Sequence, residues 1–420
     1  MRNKVAQTTG SIWSFFSGGM GLDLGMEMAG LKTSLAVEID PLCCETIRLN
    51  RPEITVLEED IRQITGEKLR EIAKCHEDIY LLVGGPPCQS FSPGGKRASL
   101  SDPRGNLIYE YLRLIKEIGP RYFLLENVAN LITAALEHRP IDQRPGKNWN
   151  LSAYSNGEGA GDSEEEAMKP TELSGSAFKQ ILQDVASLGY HINFKVVDAC
   201  DYGNAQHRLR FILVGSRDDP APAFPHPTHG THSGLRPWAT LREAIGDLAD
   251  HPGPHSTYTP KVAAIFELVP PGCNWRSLPK ELQKKALGPA FEAGGGKSGF
   301  FRRLHWDAPS PTITGTPNRK GGAMCHPEQT RPLSVHECAR LQGFPDDWRF
   351  VGSMSRQYRQ IGNAVPVFLA RALAGMFVNP VAALQSPHVA LMLDSAVIRL
   401  RHSARNKRGI VKEQKVFEFA

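Results

Sequence analysis

The stretch IYLLVGGPPCQSFS, residues 79–92, decides the fold that we predict for this chain. Its apolar first part, residues 79–83, ends at two glycines and two prolines. A short apolar run bounded in this way is typical of a parallel strand that is buried on both faces. The stiff Gly-Pro turn then presents Cys88 at the carboxyl end of the strand, where open α/β sheets bind ligands. Because an isolated cysteine is more often a small buried side chain, the rest of the chain has to decide its role.

Strands and helices alternate along most of the sequence, and this pattern predicts a parallel, doubly wound α/β sheet. The predicted strands lie at 11–16, 35–40, 54–57, 79–83, 122–125, 191–197 and 208–214, and the predicted helices at 22–30, 66–74, 106–118 and from 176 onward. Farther along, residues 331–348 read as an amphipathic helix. Ser334, followed by Glu337 three residues later, predicts a capping box at its start. An apolar helix then extends to about residue 378.

A glycine-rich turn between the first strand and the first helix is a candidate ligand site, formed by Ser17, Gly18, Gly19 and Gly21. Such a turn places backbone N–H groups against a ligand at the start of a helix, although many structural turns look similar. Glu38, at the end of the second strand, suits a carboxylate that accepts hydrogen bonds from both hydroxyls of a ribose. A solvated carboxylate is the equally open alternative. Asp60 could accept an amino proton of an adenine ring while Ile61 packs on its face.

Two chemical groups from distant parts of the sequence are predicted to meet on one rim of the sheet. Cys88 and Glu126 both follow apolar strands, and a buried glutamate at a strand end requires a partner or a function. Arg208 and Arg210 lie on the same side of an extended strand. They form either a salt-bridged start of the strand or a contact to a phosphate or a base edge.

The composition fits a soluble globular protein. The chain has 420 residues, of which 41% are hydrophobic and 22% charged, with a net charge of +5. We find no apolar run suited to a membrane span and no signal peptide at the N-terminus, which predicts a cytoplasmic protein without a membrane partner. Eight cysteines without a CxxC pair predict free thiols in a reducing compartment.

Changes in composition divide the chain into predicted units. Residues 1–215 form a large domain with an acidic surface insert at 139–176, and residues 216–357 form a small loop-rich domain with a hinge. Residues 358–380 return to the large domain, and residues 381–420 form a basic tail. The histidines that recur every third residue near 229 alternate with prolines and have no cysteine partners, so they favour a linker, and no metal site is predicted.

Six stretches in order resemble the motifs of the cytosine-C5 DNA methyltransferases of prokaryotic restriction-modification type, over roughly residues 11–378. They are FFSGGMGLDLG, GGPPCQSFS, ENV, QHRLR, RPLSVHECARLQGFP and QIGNAVP. The resemblance implies a large Rossmann-like sheet domain that binds S-adenosyl-L-methionine, a small target-recognition domain, and DNA in the cleft between them. The chain departs from the family at Met20, where a glycine is usual, at Ser14, where an acid is frequent, and at His336, where Arg is common.

The resemblance also implies a covalent reaction. The thiolate of Cys88 would add to C6 of a flipped-out cytosine, which makes C5 nucleophilic enough to take a methyl group. Glu126 would hydrogen-bond or protonate N3, and Arg208 would favour the thiolate, with Arg210 beside them in the catalytic set. Loss of the C5 proton and elimination of Cys88 would then release 5-methylcytosine.

The remaining site residues are carried over by the same resemblance. The expected cofactor contacts are Phe16, Ser17, Gly18, Gly19, Gly21, Glu38, Ile39, Asp60, Ile61, Pro86, Leu107, Asn363 and Ala364. The expected DNA contacts are Gln89, Ser90, Arg302, Arg303, Arg319 and Lys320. Double-stranded DNA is the expected partner of a monomeric enzyme, and the resemblance allows for a cognate restriction endonuclease that acts on the same site.

Three other functions are compatible with parts of the sequence. An RNA cytosine methyltransferase would share the chemistry. The roughly 115 residues between QHRLR and RPLSV favour instead a small domain that recognises a DNA sequence. A nicotinamide dehydrogenase would use a similar glycine turn and strand-end acid, but it gives no reason for Cys88, Glu126 and Arg208 to share a rim. A catalytically inactive DNA-binding module is disfavoured because Cys88 and Glu126 are both present.

Overall fold

The structure is a computed structural model, described over residues 10–87, 107–137, 168–291 and 298–383. The predictions for Cys88, Gln89 and Ser90 lie outside these residues, as do nearly all of the acidic insert and of the basic tail.

The seven strands of the main sheet are β1 (Ser11–Phe15), β2 (Lys32–Glu38), β3 (Thr55–Glu58), β4 (Leu81–Gly84), β5 (Tyr122–Val128), β6 (His191–Asp198) and β8 (Leu209–Ser216). They lie side by side in the order β3-β2-β1-β4-β5-β8-β6. A separate two-stranded pairing joins β7 (Gln206–His207) to β9 (Ser310–Pro311) in parallel. The predicted α/β class is confirmed.

The prediction of a purely parallel sheet was wrong for one strand, because β8 runs antiparallel to both of its neighbours, β5 and β6. Only residues 199–208 connect β6 to β8, and they include the short β7. A parallel connection needs a crossover of about a dozen residues or more, usually a helix, so this short link permits only a reversal of direction. The sheet is therefore mixed.

Helices cover both faces of the sheet and build the C-terminal half. They are α1 (Gly21–Met28), α2 (Pro41–Asn50), α3 (Gly66–Ala73), α4 (Leu107–Ile118), α5 (Ser176–Ala186), α6 (Leu241–Ile245), α7 (Pro260–Glu267), α8 (Lys280–Leu287), α9 (Val335–Gln342), α10 (Met354–Asn363) and α11 (Val367–Val378). The capping box of α9 is confirmed, because Ser334 Oγ accepts from Glu337 N at 3.0 Å and Glu337 Oε2 accepts from Ser334 N at 2.6 Å.

The period of two along each strand divides the apolar side chains between two cores. Trp13 of β1 packs into a cluster with Leu82 and Phe123, whereas its neighbour Ile12 packs into a cluster with Leu81 on the opposite face. Each such side chain stabilises the fold by about 1.5–3 kcal/mol when it is fully buried. Because β1, β4 and β5 are covered on both faces, their carboxyl ends are held rigidly at one rim.

The end of the described chain returns to the first helix. A Cβ added at Gly25 of α1 would come within 2.3 Å of Ala370 Cβ in α11, so only glycine permits this close packing. The apolar stretch Met354–Val378 has the length and mean hydropathy of a membrane span, but 67% of its apolar 18-residue window is buried within the protein. It comprises α10 and α11, which pack as core helices of the fold.

A separate, smaller core lies in residues 266–325. It contains Phe266, Trp275, Leu287, Phe301 and Cys325 and is separate from the two sheet cores. Most of its chain is loop and short helix, which agrees with the loop-rich composition of this segment.

Candidate active site at the rim of the sheet

The glycine-rich turn after β1 is strained and rigidly docked. Met20 takes a left-handed conformation, with a φ of 64°, and forms the N-cap of α1. A left-handed non-glycine residue costs roughly 1–2 kcal/mol, and burial of the Met20 side chain against Leu24 and Ala36 offsets this cost. A Cβ added at Gly21 would come within 2.2 Å of the Val365 carbonyl oxygen. The turn is thus fixed against the start of α11.

Glu38, at the end of β2, is held by three backbone N–H groups. Its Oε2 accepts from Gly18 N at 2.8 Å, and its Oε1 accepts from Ile39 N and Asp40 N, both at 2.9 Å. A carboxylate has about four acceptor positions. One position, on Oε2, therefore stays open for a ligand hydroxyl. We expect Glu38 to accept from one ribose hydroxyl, and not from both, while it keeps its three contacts to the protein.

Asp60 and the nearby isoleucines form the next part of the rim. Asp60 caps the turn Ile61–Gln63 and accepts from Arg62 N at 3.0 Å. The Arg62 guanidinium also binds the carboxylate and lowers the pKa of Asp60. Ile61 is only 5% exposed, whereas Ile39 is 59% exposed, which makes Ile39 the more accessible of the two to an aromatic ring.

The other predicted cofactor residues differ in their degree of burial. Phe16 is half-buried and makes an edge contact with Tyr111, with ring centroids 6.5 Å apart. Ser17 Oγ donates to Ser14 Oγ at 2.9 Å. Ser14, which stands where the family often has an acid, therefore still supports the turn. Gly19, Pro86 and Ala364 are buried, Leu107 is half-buried, and Asn363 is exposed at the end of α10.

The turn that leads to Cys88 is anchored to β5. Asn127 Nδ2 donates to the Pro86 carbonyl at 3.0 Å. A Cβ at Gly85 would lie 3.0 Å from Glu126 Oε2, which places the turn directly beside this carboxylate. The sequence prediction assigns a role to Glu126 alone in the ENV stretch, and Asn127, its direct neighbour, is a functional residue that it does not include.

Glu126 is part of a buried ion pair. Its Oε1 lies 2.6 Å from Arg210 Nε, and both side chains are 11% exposed. Burial lowers the pKa of Arg210, and the charge of Glu126 opposes this shift. The strand register explains the pair, because β5 and β8 run antiparallel and Val128 lies opposite Arg210. Glu126 belongs to β5 itself and does not follow it, which extends the predicted strand at 122–125.

Arg208 has a different environment, although it lies only two residues away. Its guanidinium is buried and donates to the carbonyl oxygens of Ile313, Gly362 and Ala364 at 2.8–3.0 Å. Burial lowers the pKa of Arg208 well below its ordinary value, with the charge of Arg210 acting in the same direction. Arg208 thereby joins the sheet to the segment around residue 313 and to the end of α10. Its predicted influence on Cys88 stays a prediction.

Gln206 completes this junction and was absent from our predicted site residues. Its Nε2 donates to Gln342 Oε1 at 2.9 Å, and its Oε1 accepts from Ile313 N at 2.8 Å. Gln342 in turn donates to the carbonyl oxygens of Ile361 and Ala364. The QHRLR stretch carried the signal, but only its arginines were assigned a role.

The four basic residues predicted to contact DNA fall into three groups. Arg319 and Lys320 are exposed. Arg302 is half-buried, and within the described residues its side chain has no hydrogen bond or ion pair. Burial lowers the pKa of Arg302. A cation that is desolvated but unpaired has much to gain from an anionic partner.

The prediction that Arg303 contacts DNA is contradicted by its position. The side chain is 5% exposed, and its guanidinium donates to the oxygens of Val269, Phe266, His326, Pro327, Gln329 and Thr330. All five guanidinium N–H groups are therefore used inside the small core. Arg303 holds the loops of this segment together and offers no donor to DNA.

Comparisons with known proteins identify the family of the chain. The family of C-5 cytosine-specific DNA methylases matches residues 10–140 and 169–379. The chain is 37% identical over 382 residues to the type II methyltransferase M.Eco47II of Escherichia coli, covering 90% of this chain and 80% of that protein. It is 34% identical over 372 residues to the type II methyltransferase M.Sau96I of Staphylococcus aureus, covering 88% of this chain and 76% of that protein.

Solved structures share the fold at lower identity. One from an Escherichia coli prophage, described as a DNA modification methyltransferase, covers 88% of this chain and 99% of its own, with a TM-score of 0.57 at 22% identity. The methyltransferase EhMeth of Entamoeba histolytica covers 88% of this chain and 98% of its own, with a TM-score of 0.54 at 14% identity. These likenesses bear on the fold alone.

Proposed function

The chain belongs to the C-5 cytosine-specific DNA methylase family and is a DNA (cytosine-5-)-methyltransferase, and we propose that it acts through a covalent bond between Cys88 and C6 of a flipped-out cytosine. Its relatives are named type II methyltransferases, so it is a modification enzyme of a restriction-modification system. The observation that carries the covalent proposal is the anchored turn before Cys88, which lies directly beside the Glu126–Arg210 pair.

Asn127, Arg210 and Glu126 would each have a different role around the target cytosine. The Asn127 amide fixes the Pro86 carbonyl, and thereby the part of the turn that precedes Cys88 in sequence. Arg210 holds Glu126 Oε1, so Oε2 is the oxygen that would face N3 of the cytosine. Electron density that enters the ring at C6 would be stabilised by this carboxyl group, and C5 would become the nucleophile. Bisulfite sequencing of DNA methylated by the purified enzyme would test this function and identify the site.

The family implies S-adenosyl-L-methionine as the cofactor, and the rim has the groups to hold it. Glu38 keeps one acceptor position open for a ribose hydroxyl, and Ile39 offers an exposed apolar side chain to an aromatic ring. Asp60 could receive an adenine amino group only by sharing its carboxylate with Arg62. When bound, the cofactor supplies an electrophilic methyl group.

Replacing Glu38 by Ala should weaken binding of S-adenosyl-L-methionine by about 1.5–3 kcal/mol, because a hydrogen bond to a charged group is lost. Isothermal titration calorimetry measures this change. Glu45→Ala, which removes an exposed glutamate from α2, is the matched control and should bind normally. Unchanged affinity in Glu38→Ala, or tight binding of NAD by the parent protein, would contradict the assignment.

We also propose that residues 216–357 contain the target-recognition domain, because their small core carries Arg302, Arg319 and Lys320 on turns. Contacts to phosphates position a protein on DNA, whereas contacts to base edges specify the sequence. Double-stranded DNA would lie between this segment and the sheet rim. The junction through Arg208 and Gln206 sets the distance between the two parts.

The neighbouring arginines of this segment provide a sharp comparison. Arg302→Ala should weaken DNA binding without changing thermal stability. If Arg302 binds a phosphate, the slope of the logarithm of DNA affinity against the logarithm of salt concentration should fall by about one unit. If Arg302 contacts a base, discrimination against the wrong base at one position of the site should fall by about 1–3 kcal/mol. Wild-type affinity, salt dependence and methylation pattern in Arg302→Ala would remove it from the interface.

Arg303→Ala is the matched control for this experiment. It should lower the free energy of unfolding by at least about 1–3 kcal/mol, the cost of one unpaired buried acceptor. Denaturant unfolding monitored by circular dichroism separates this structural effect from the binding effect of Arg302→Ala.

The wider setting follows from the relatives. We propose a monomeric cytoplasmic enzyme with a cognate restriction endonuclease that cuts the same site, since its relatives are named as type II methyltransferases. The seven cysteines among the described residues are all free thiols, which supports a reducing compartment.

A further inference from the structure

A cluster of three potential metal ligands lies between the sheet and the recognition segment, close in sequence to Arg210. Asp198 is the last residue of β6, Cys200 follows in a short turn, and His207 belongs to β7. The reversal between β6 and β8 brings them together, because Asp198 pairs with Leu209 in the strand register. Their ligand atoms all lie within 4.8 Å of one another.

The contacts within the cluster converge on one ring nitrogen. His207 Nδ1 lies 2.9 Å from Cys200 Sγ and 3.0 Å from Asp198 Oδ2. A neutral imidazole nitrogen carries either one proton or one lone pair, so it can donate to the carboxylate or accept from the thiol, but not both. If the Nδ1–H group of His207 donates to Asp198, this nitrogen cannot also accept a hydrogen bond from the Cys200 thiol, although the sulfur lies close to it. A cation can satisfy all three atoms at once.

Surrounding groups fix the candidate ligands in place. Arg208 N donates to Asp198 Oδ1 at 2.7 Å, which leaves Oδ2 directed at the histidine. On the other side of the sulfur, Asp201 Oδ1 lies 3.9 Å from Cys200 Sγ and accepts from Trp238 Nε1 at 3.2 Å. Such outer contacts orient metal ligands in known sites. The carboxylates of Asp198 and Asp201 lie close to His207 and Cys200, and their negative charges attract a cation.

We propose that Asp198, Cys200 and His207 bind a zinc ion, with Asp201 or water as the fourth ligand. A thiolate, an imidazole and a carboxylate together suit zinc and disfavour magnesium and calcium, which prefer oxygen ligands. A tetrahedral zinc site separates sulfur and nitrogen by about 3.5 Å, so Cys200 and His207 must move apart by about half an ångström. Binding releases the thiol proton to solvent. Asp198 and His207 are partly exposed, which gives the ion a path of entry.

The position of this site indicates a structural role. His207 pairs with Pro311 through β7 and β9, and the next residue, Arg208, holds Ile313. A zinc ion here would therefore stabilise the junction between the sheet and the recognition segment. The spacing of two and seven residues in this cluster has no CxxC or HxxxH signature, so the sequence alone does not point to a metal here.

Zinc titration of the metal-free full-length protein tests the proposal. Native mass spectrometry and competition with a zinc chelator should show one zinc per chain, and zinc should raise the melting temperature. Cys200→Ala and His207→Gln should each weaken zinc binding at least about 10-fold. Mutation of residues that only hydrogen-bond to metal ligands already lowers metal affinity by about 10- to 100-fold.

Two matched controls remove one cysteine and one histidine elsewhere. Cys338→Ala changes a buried thiol in α9, and His226→Gln changes an exposed histidine in the loop after β8. Both should keep the zinc affinity of the parent protein. Absence of stoichiometric zinc binding, or equal affinity in His207→Gln and the parent, would overturn the site. His207 is partly exposed, so its replacement keeps the test decisive if Cys200→Ala does not fold.

Discussion

Replacing Cys88 by Ala should lower the rate of cytosine methylation on the order of 10³-fold or more, which corresponds to about 4 kcal/mol of transition-state stabilisation. The reason is that C5 of cytosine is not nucleophilic enough without addition of a thiolate to C6. The rate is measured by transfer of a labelled methyl group to duplex DNA.

Binding measurements show whether this loss is chemical. Cys88→Ala should keep the cofactor affinity of the parent enzyme, because the Glu38 and Ile39 part of the rim is unchanged. Cys75→Ala, which removes a half-buried free thiol after α3, is the control and should keep full activity. If Cys88→Ala methylates DNA at a rate near that of the parent, the nucleophile has been misassigned.

Glu126→Gln should lower kcat by about 10²–10⁴-fold, the usual contribution of a positioned acid or base. The amide keeps the size of the side chain and can still accept from Arg210, but it cannot deliver a proton to N3. We therefore expect a loss in kcat with little change in KM for DNA. Steady-state kinetics under saturating cofactor separate the two constants.

A second carboxylate that is ion-paired with an arginine serves as the control. Glu110 pairs with Arg113 on α4 at 2.8 Å, so Glu110→Gln removes a charge without touching the rim. It should leave kcat unchanged. A Glu126→Gln enzyme with a kcat close to that of the Glu110→Gln enzyme would exclude Glu126 from the chemistry.

The stability of the Glu126–Arg210 pair gives an independent readout. Arg210→Met should destabilise the fold by about 3–5 kcal/mol, because it leaves the buried Glu126 charge without its partner. The pair therefore contributes both to the fold and to the orientation of Glu126 Oε2.

Much of the fold could be predicted because strands buried on both faces have a plain sequence pattern. The apolar run before Gly84 and the run before Glu126 both became neighbouring central strands. The reversed direction of β8 was not predicted, because direction depends on the length of the connection rather than on the apolar pattern of the strand itself.

The site was less predictable wherever neighbouring residues of one type have different surroundings. Arg302 and Arg303 are adjacent and chemically identical, yet one is unpaired among the described residues and the other fills a buried loop core. Arg208 and Arg210 differ in the same way, since one binds carbonyl oxygens and the other a carboxylate. Tertiary packing decides these roles, and a local sequence pattern does not encode it.

The covalent intermediate is the central claim, and DNA that contains 5-fluorocytosine tests it most directly. Fluorine at C5 cannot leave as a cation, so the enzyme that has attacked C6 stays bound to the DNA. We predict an SDS-stable complex with the parent enzyme and with Cys75→Ala, in which mass spectrometry identifies Cys88 as the modified residue. A complex of equal yield in Cys88→Ala, or a modified peptide that contains a different cysteine, would contradict the account.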